Sequence, residues 1–395
     1  MTAKEMCKRL SIDYNEQLNK YASEGEKLYR ELGLYALDEM RIKRLNEKYG
    51  IFKKYFDEVL LAAREIASDE AMVTYVYTLI AIINADENTD ILPLPDKQRR
   101  DTDFLPLFSL LYFIEDLTSG MERRGLSFDI IADTLSDLET KIDDYLALFG
   151  RLGIRIYVKW FLILIRGEIL KIGRLQYQIK KLDTPIRAYG KNGDIQILID
   201  GRDMHEKGMC FGSRGQDDEA GKYYADIEEG EGYVIGYAQN KYGECVPEPI
   251  TLVGYERLVG MGDYVLDLHI PSAESFTPEE VSESLRLATE FYKKYYPEYD
   301  FKAFFCMSWL LEGRLEEIIG KQSNITKFQS LFTLFPTACK RSGAYKCLFN
   351  TTAARDVCEL PENTSMQRAV KKWLASGRYY YDKGGIIPFG AFQSR

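Results

Sequence analysis

The spacing of apolar residues changes once along this 395-residue chain, close to Gly167, and that change limits the fold more than any other feature. Before it, apolar side chains recur at three- and four-residue intervals, as an amphipathic helix requires. NEQLNKYASEGEKLYRELGL (15–34) and MRIKRLNEKYGIFKKYFDEVLLAAREIA (40–67) carry this pattern. So do FLPLFSLLYFIEDLTSGMERRG (104–125) and SFDIIADTLSDLETKIDDYLALFG (127–150), each read as one helix. In the second, Ser127 is placed to cap and Gly150 to stop the helix. MVTYVYTLIAIINA (72–85) suits a buried helix or a strand, and its neighbours favour the helix. DKQRRDTD (96–103) reads as a polar connection.

After Gly167 the pattern shortens to strands broken by turn residues: ILKIGRLQYQIKKL (169–182), DIQILIDGRD (194–203), GYVIGYAQN (232–240), EPITLVGYERL (248–258) and DYVLDLHIP (263–271). GMCFGSRGQDDEAGK (208–222) is a glycine-rich polar loop between them. Helix and strand then alternate to the end. These patterns predict an α+β protein, with an all-helical N-terminal domain over 1–167 and a mixed α/β domain over 168–395. Near the end, LPENTSMQRAVKKWL (360–374) reads as a helix capped by Thr364 or Ser365. GRYYYDKGGIIPF (377–389) reads as a closing hairpin turning at Gly384-Gly385.

Net charge is −9, so the chain lacks the basic face that nucleic-acid binding needs. Seven cysteines without a CxxC pair, and two histidines, argue against a zinc site. The polar, charged opening MTAKEMCKRL lacks a secretory leader, and reduced thiols in a cytoplasm are the expectation. IYVKWFLILI (156–165) is the most apolar run, and Lys159 interrupts it; it is too short to span a bilayer and reads as a buried helix. The expected partner is thus a small molecule, with neither nucleic acid nor membrane and with the oligomeric state open.

The segment LDLHIPSAESFTPEEV (266–281) is a strand running into a firmly started helix. Leu266, Leu268 and Ile270 share one strand face; Val265, Asp267 and His269 share the other. Thr277-Pro278-Glu279-Glu280 supplies an N-cap, a proline at N1 and the glutamate of a capping box. VSESLRLATEFYKKYYP (281–297) continues as an amphipathic helix, and FKAFFCMSWLL (301–311) has the composition of a buried strand. Strand, helix and strand make a right-handed βαβ unit with parallel strands, so His269 and Ser308 end at one sheet edge. Glu279 and Glu280 already complement the helix dipole and would repel a phosphate there, whereas an amine would be welcome.

DYVLDLHIPS with its TPEE helix, FCMSWLLEGRLEEIIGKQSNITKFQSLF (305–332) and LPENTSMQRAVKKWLASGRYYYDKGGIIPF (360–389) together resemble a bacterial acyltransferase family. That family pairs a helical N-acyltransferase-type N-terminal domain with a GNAT-like C-terminal domain. RGLSFDIIADTLSDL (124–138), Trp160 and GRLQYQI (173–179) extend the resemblance, which covers roughly residues 50 to 390. It implies a GNAT-like fold with acyl-CoA or acetyl-CoA, as co-substrate, lying between two splayed parallel strands; no metal is expected. The strands ending at His269 and Ser308 would be that pair. The sequence departs from the family's pyrophosphate signature, Arg/Gln-x-x-Gly-x-Gly/Ala, which IPSAESFTPEE does not contain.

The resemblance also implies a chemistry: an amine attacks a thioester directly, with a base to free the amine and an acid for the departing thiolate. His269 is the base candidate, oriented by Asp267, and Ser308 is the donor to the thiolate. Ile270 and Trp309 just beyond the strand ends, with Arg174 and Gln176 on one face of the neighbouring strand beside Gln178, are the cofactor-binding candidates. Cys306 as a nucleophile is disfavoured, because an apolar strand raises its pKa. Arg166, Arg368 and Arg378 are further cations able to meet phosphates. Two other readings stay open: a non-catalytic module binding a small metabolite or a protein, and carbohydrate binding or hydrolysis suggested by 28 tyrosines.

Overall fold

The computed structural model describes residues 1–85, 102–213, 219–272, 275–338, 343–351 and 356–392. Most of the 96–103 connection and residues 214–218 of the glycine-rich loop lie outside them. The chain divides into two compact units: Met1–Lys171 with Pro271–Ala273, and Ile172–Ile270 with Glu274–Arg395.

The first unit is helical among its described residues, and its helices are shorter than the periodicity predicts. The 40–67 stretch becomes Glu39–Tyr49 and Phe56–Ala67, because Gly50 (φ 62°) ends the first helix in the left-handed region. The 127–150 stretch breaks into Phe128–Leu135 and Asp137–Phe149. At the break the Ser136 hydroxyl donates to the Asp133 carbonyl (2.7 Å), competing with the helical backbone. The 104–125 stretch likewise forms Leu105–Leu111 and Ile114–Arg123. Ser127 and Gly150 do cap as expected. Glu70–Ala85 is a helix buried almost all round, as its unbroken apolar composition requires. Among the described residues, no single helix is long and apolar enough to cross a membrane.

The second unit is built on a sheet in which Leu175–Lys181, Tyr264–His269, Phe301–Ser308, Lys383–Pro388 and Thr333–Pro336 follow in that order. The two central strands are parallel and are joined by the helix Pro278–Tyr295, which is the predicted βαβ unit. The helix lies on one sheet face through Ser284, Leu285, Ala288 and Tyr292. Ser284 pins it: its hydroxyl donates to the Ile172 carbonyl (2.5 Å), accepts the Leu175 amide (3.2 Å) and bonds the Tyr177 hydroxyl (2.8 Å). Tyr292 donates to the Tyr177 carbonyl (2.9 Å) while burying its ring, worth roughly 1.5–3 kcal/mol.

Smaller strands cover the opposite face. Ile186–Lys191 and Asp194–Ile199 form a hairpin through Asn192-Gly193, both at positive φ (51° and 86°), and Glu256–Val259 pairs alongside. Their Ile186, Ala188, Ile197 and Val259 meet Val265, Ala303, Phe305, Phe335 and Ile386 of the large sheet in one core.

Gly384 and Gly385 form no turn. They lie inside the strand Lys383–Pro388, between two antiparallel neighbours. A Cβ on Gly384 would come within 2.0 Å of the Phe335 ring, and one on Gly385 within 2.8 Å of Phe332. The glycines mark where rings press onto the backbone, a use of strand glycine that reads in sequence like a turn.

Candidate active site

Tyr264–His269 and Phe301–Ser308 pair from Tyr264↔Phe301 to Asp267↔Phe305, and there the ladder ends. Both strands continue. Leu268 and His269 stay paired with Tyr177 and Gln176 on one side. Cys306, Met307 and Ser308 stay paired with Gly385, Gly384 and Lys383 on the other. Among the described strands, each of the two is paired past Asp267 and Phe305 with its outer neighbour and not with the other.

The polar residues of the neighbouring strand collect at this point. Gln178 lies opposite Asp267 and Gln176 opposite His269, so the four side chains share one face with Lys180. His269 Nε2 meets Gln178 Oε1 at 3.3 Å. Asp267 is buried, with Lys180 Nζ at 3.8 Å, and Lys180 also reaches Asp183 at 3.1 Å. Burial pushes the Asp267 carboxyl up from 3.8 to about 7, against the pull of Lys180.

The remaining candidates divide. Ser308 belongs by alternation to the other face, and its Oγ accepts the Leu310 amide (3.1 Å), capping the short turn Trp309–Leu311. A hydroxyl that accepts still has its own proton to donate. Trp309 packs on a cluster containing Leu315, Val370 and Tyr380, and its carbonyl accepts from the Tyr380 hydroxyl (2.9 Å). Ile270 is half-buried immediately past the strand. Arg174 is buried in the turn before Leu175; its Nε donates to the Ser275 carbonyl and its guanidinium lies 5.2 Å over the Phe276 ring. It thus fastens the segment leading into the helix.

That helix start serves itself. Thr277 Oγ1 accepts the Glu280 amide (3.3 Å), and the Glu280 carboxylate accepts the Thr277 amide (3.0 Å). The Ser275 hydroxyl donates to Glu280 at 2.6 Å, and this bond with the Thr277 amide holds the carboxyl below its ordinary value. The end of the helix that holds a pyrophosphate in other α/β proteins is filled here by its own carboxylate.

Cys306 is buried, and burial keeps its thiol well above its ordinary pKa, so it is not a thiolate nucleophile. Sequence reading missed one buried group beside the gap. Lys383, opposite Ser308, donates to the Gly243 carbonyl (3.2 Å) and to Met209 Sδ (3.1 Å), and burial lowers its pKa. Glu312 is buried nearby with its carboxyl raised by burial, accepting the Tyr381 amide (2.5 Å). The only trace of this in the sequence is a lysine placed directly before two strand glycines.

Comparison with known proteins gives two family matches. Residues 40–167 match an N-acyltransferase N-terminal domain, and residues 169–387 match a GNAT-like C-terminal domain. A search of curated proteins returned no significant match. Among solved structures, a mutant acyltransferase in complex with octanoyl-CoA is 16% identical, covers 98% of this chain and 99% of its own, and has a TM-score of 0.64. An acyltransferase in complex with decanoyl-CoA and teicoplanin is 17% identical, with 98% and 100% coverage and a TM-score of 0.62. At these identities the two structures establish a shared fold.

Proposed function

Because the chain belongs to the family that joins an N-acyltransferase N-terminal domain to a GNAT-like C-terminal domain, we propose that it is an acyl-CoA-dependent N-acyltransferase acting on a small amine. One observation carries the reading: the central parallel ladder stops at Asp267↔Phe305 while both strands run on. The backbone groups past that rung suit the amides of an extended acyl-pantetheine chain. A backbone N–H on the gap would polarise the thioester carbonyl. The similar structures that hold octanoyl-CoA and decanoyl-CoA add support.

The chemistry follows from the groups on the gap. A base, His269 or Asp267, takes a proton from the ammonium substrate. The freed amine forms the C–N bond at the thioester carbonyl. The C–S bond then breaks as the Ser308 hydroxyl, the proposed proton source, protonates the thiolate, and the proton still carried by the new amide nitrogen passes to the Ser308 oxygen. Ile270, Trp309, Arg174 and Gln176 remain the proposed cofactor-side residues, with Arg174 acting through the Ser275–Phe276 segment it holds. A carboxyl on the gap favours an amine over an anionic acceptor.

A second reading, a non-catalytic binding module, is favoured by the self-capped start of the Pro278–Tyr295 helix, which leaves no pyrophosphate cradle there. Thermal melting with CoA, acetyl-CoA and longer acyl-CoAs separates the two readings. A ligand that binds only the folded chain raises the midpoint. A shift with one acyl-CoA, followed by thiol release on adding an amine, supports the enzyme. No shift at millimolar ligand overturns it and leaves the binding module.

A further inference from the structure

The gap between the central strands divides one face of the large sheet into two unlike banks. On the side of Leu175–Lys181 and Tyr264–His269 the face carries Gln176, Gln178, Lys180, Asp267 and His269. On the side of Phe301–Ser308 it carries Phe305, the rung partner of Asp267, and one alternation further on Met307. Beside these two lie Ile386 and Gly384, and Phe335 follows opposite Gly384. The first bank is polar and the second apolar.

Met307 stands apart on its bank. Phe305, Ile386 and Phe335 are at most 1% exposed, whereas Met307 is 50% exposed. Among the apolar residues of Leu175–Lys181, Tyr264–His269, Phe301–Ser308, Lys383–Pro388 and Thr333–Pro336, it alone is exposed. A lone exposed apolar side chain is ordinary on a protein surface. What singles this one out is its place in a central strand, where a side chain is normally covered from both flanks.

Neither flank sets a side chain across a rung from it. On one side the ladder to Tyr264–His269 has already ended at Asp267↔Phe305, so Met307 borders the gap. On the other side its rung partner is Gly384, where the Phe335 ring would lie 2.0 Å from an added Cβ and so excludes one. The thioether therefore stands beside the gap as the open part of an otherwise sealed apolar bank.

The two banks suit the two halves of the proposed reaction. An ammonium acceptor fits the bank that holds the Asp267 carboxyl. The acyl tail is apolar and fits the other. A methionine is unbranched and polarizable, so it adapts to chains of different shape. We infer that Met307 is the acyl-tail contact of this site and a determinant of how tightly a longer acyl-CoA is held, an inference that rests on the acyl-CoA reading of the gap.

The test is calorimetric titration of the full chain with CoA, acetyl-CoA, octanoyl-CoA and decanoyl-CoA, for the parent, Met307→Asn and Met307→Leu. The position is half exposed, and melting curves without ligand check that both variants fold. The readout is the ratio of octanoyl-CoA to CoA affinity within each protein. The parent should hold octanoyl-CoA more tightly than CoA. Met307→Asn should cut the ratio about tenfold, the worth of roughly two buried methylenes, and Met307→Leu should keep most of it. A ratio that Met307→Asn leaves unchanged overturns the inference, and so does a parent that binds octanoyl-CoA no better than CoA. In both cases the bound CoA leaves the reading of the gap standing. No binding of any of the four at millimolar concentration overturns that reading and the inference with it.

Discussion

Asp267 and Phe305 form the last rung between the two parallel central strands, and the first titrating carboxyl on the gap is Asp267 itself. The rung places a buried acid against a phenyl ring on one side and Gln178 on the other. Burial raises its pKa to about 7, so the carboxyl takes its proton in the neutral range.

The sign of that shift fixes a stability prediction. Between about pH 4, where the unfolded carboxyl ionises, and about pH 7, the folded chain holds one more proton than the unfolded chain. Stability should therefore fall as pH rises through this window. Asp267→Asn removes the burden and should be more stable than the parent above pH 7, by up to a few kcal/mol at about 1.4 kcal/mol per unit. Denaturant midpoints of both proteins from pH 4 to pH 8 check it; parallel curves would show that Asp267 does not titrate near 7.

The same protonation bears on catalysis. If Asp267 accepts the proton, kcat/KM of the parent climbs through an inflection near pH 7, and Asp267→Asn loses the inflection with most of the rate. His269→Ala should lower kcat/KM by about a hundredfold or more, the usual worth of a general base, with Tm nearly unchanged because the ring is only half-buried. A variant as active as the parent would remove His269 from the chemistry.

The βαβ unit was legible because its signals are local. A capping box at Thr277–Glu280, an amphipathic helix and two apolar flanks need nothing from the rest of the chain. His269 and Ser308 were reachable as strand ends for the same reason. Three things depend on partners distant in sequence and were not legible. The end of the ladder is set by which outer strand each central strand follows. The raised Asp267 comes from a burial that sequence alternation cannot distinguish from an exposed polar face. The interior lysine Lys383 is recognisable only once Gly243 and Met209 surround it. Gly384-Gly385 shows the converse error: local turn chemistry was overruled by Phe335 and Phe332 pressing on a central strand.

That overruling can be measured. Gly384→Ala would bring a methyl against the fully buried Phe335 ring, at 2.0–2.7 Å from three of its atoms. Overpacking of this kind costs about 1–3 kcal/mol and sometimes more. The double variant Gly384→Ala, Phe335→Leu should recover part of the loss, because the smaller side chain yields the space. Equal stability of Gly384→Ala and the parent would mean the strand shifts freely there.

In the helical unit one carboxylate holds the turn that leads into an uncapped helix. Tyr55 precedes the helix Phe56–Ala67 without a side-chain cap bond, and the amides of Lys53, Lys54 and Tyr55 point instead to Glu139 Oε1, at 2.7, 2.6 and 3.3 Å. Glu139 comes from another helix, Asp137–Phe149, and is buried. Hydrogen bonds to a charged acceptor are each worth about 1.5–3 kcal/mol, and removing the acceptor strands all three donors at once. Glu139→Ala should therefore cost about 3 kcal/mol or more, and Glu139→Gln less, since its amide oxygen still accepts without the charge. Denaturant unfolding gives both values, and amide exchange localises them: protection should fall first at residues 53–55. Two variants of equal stability would show that the charge contributes nothing and that only the oxygen's position matters.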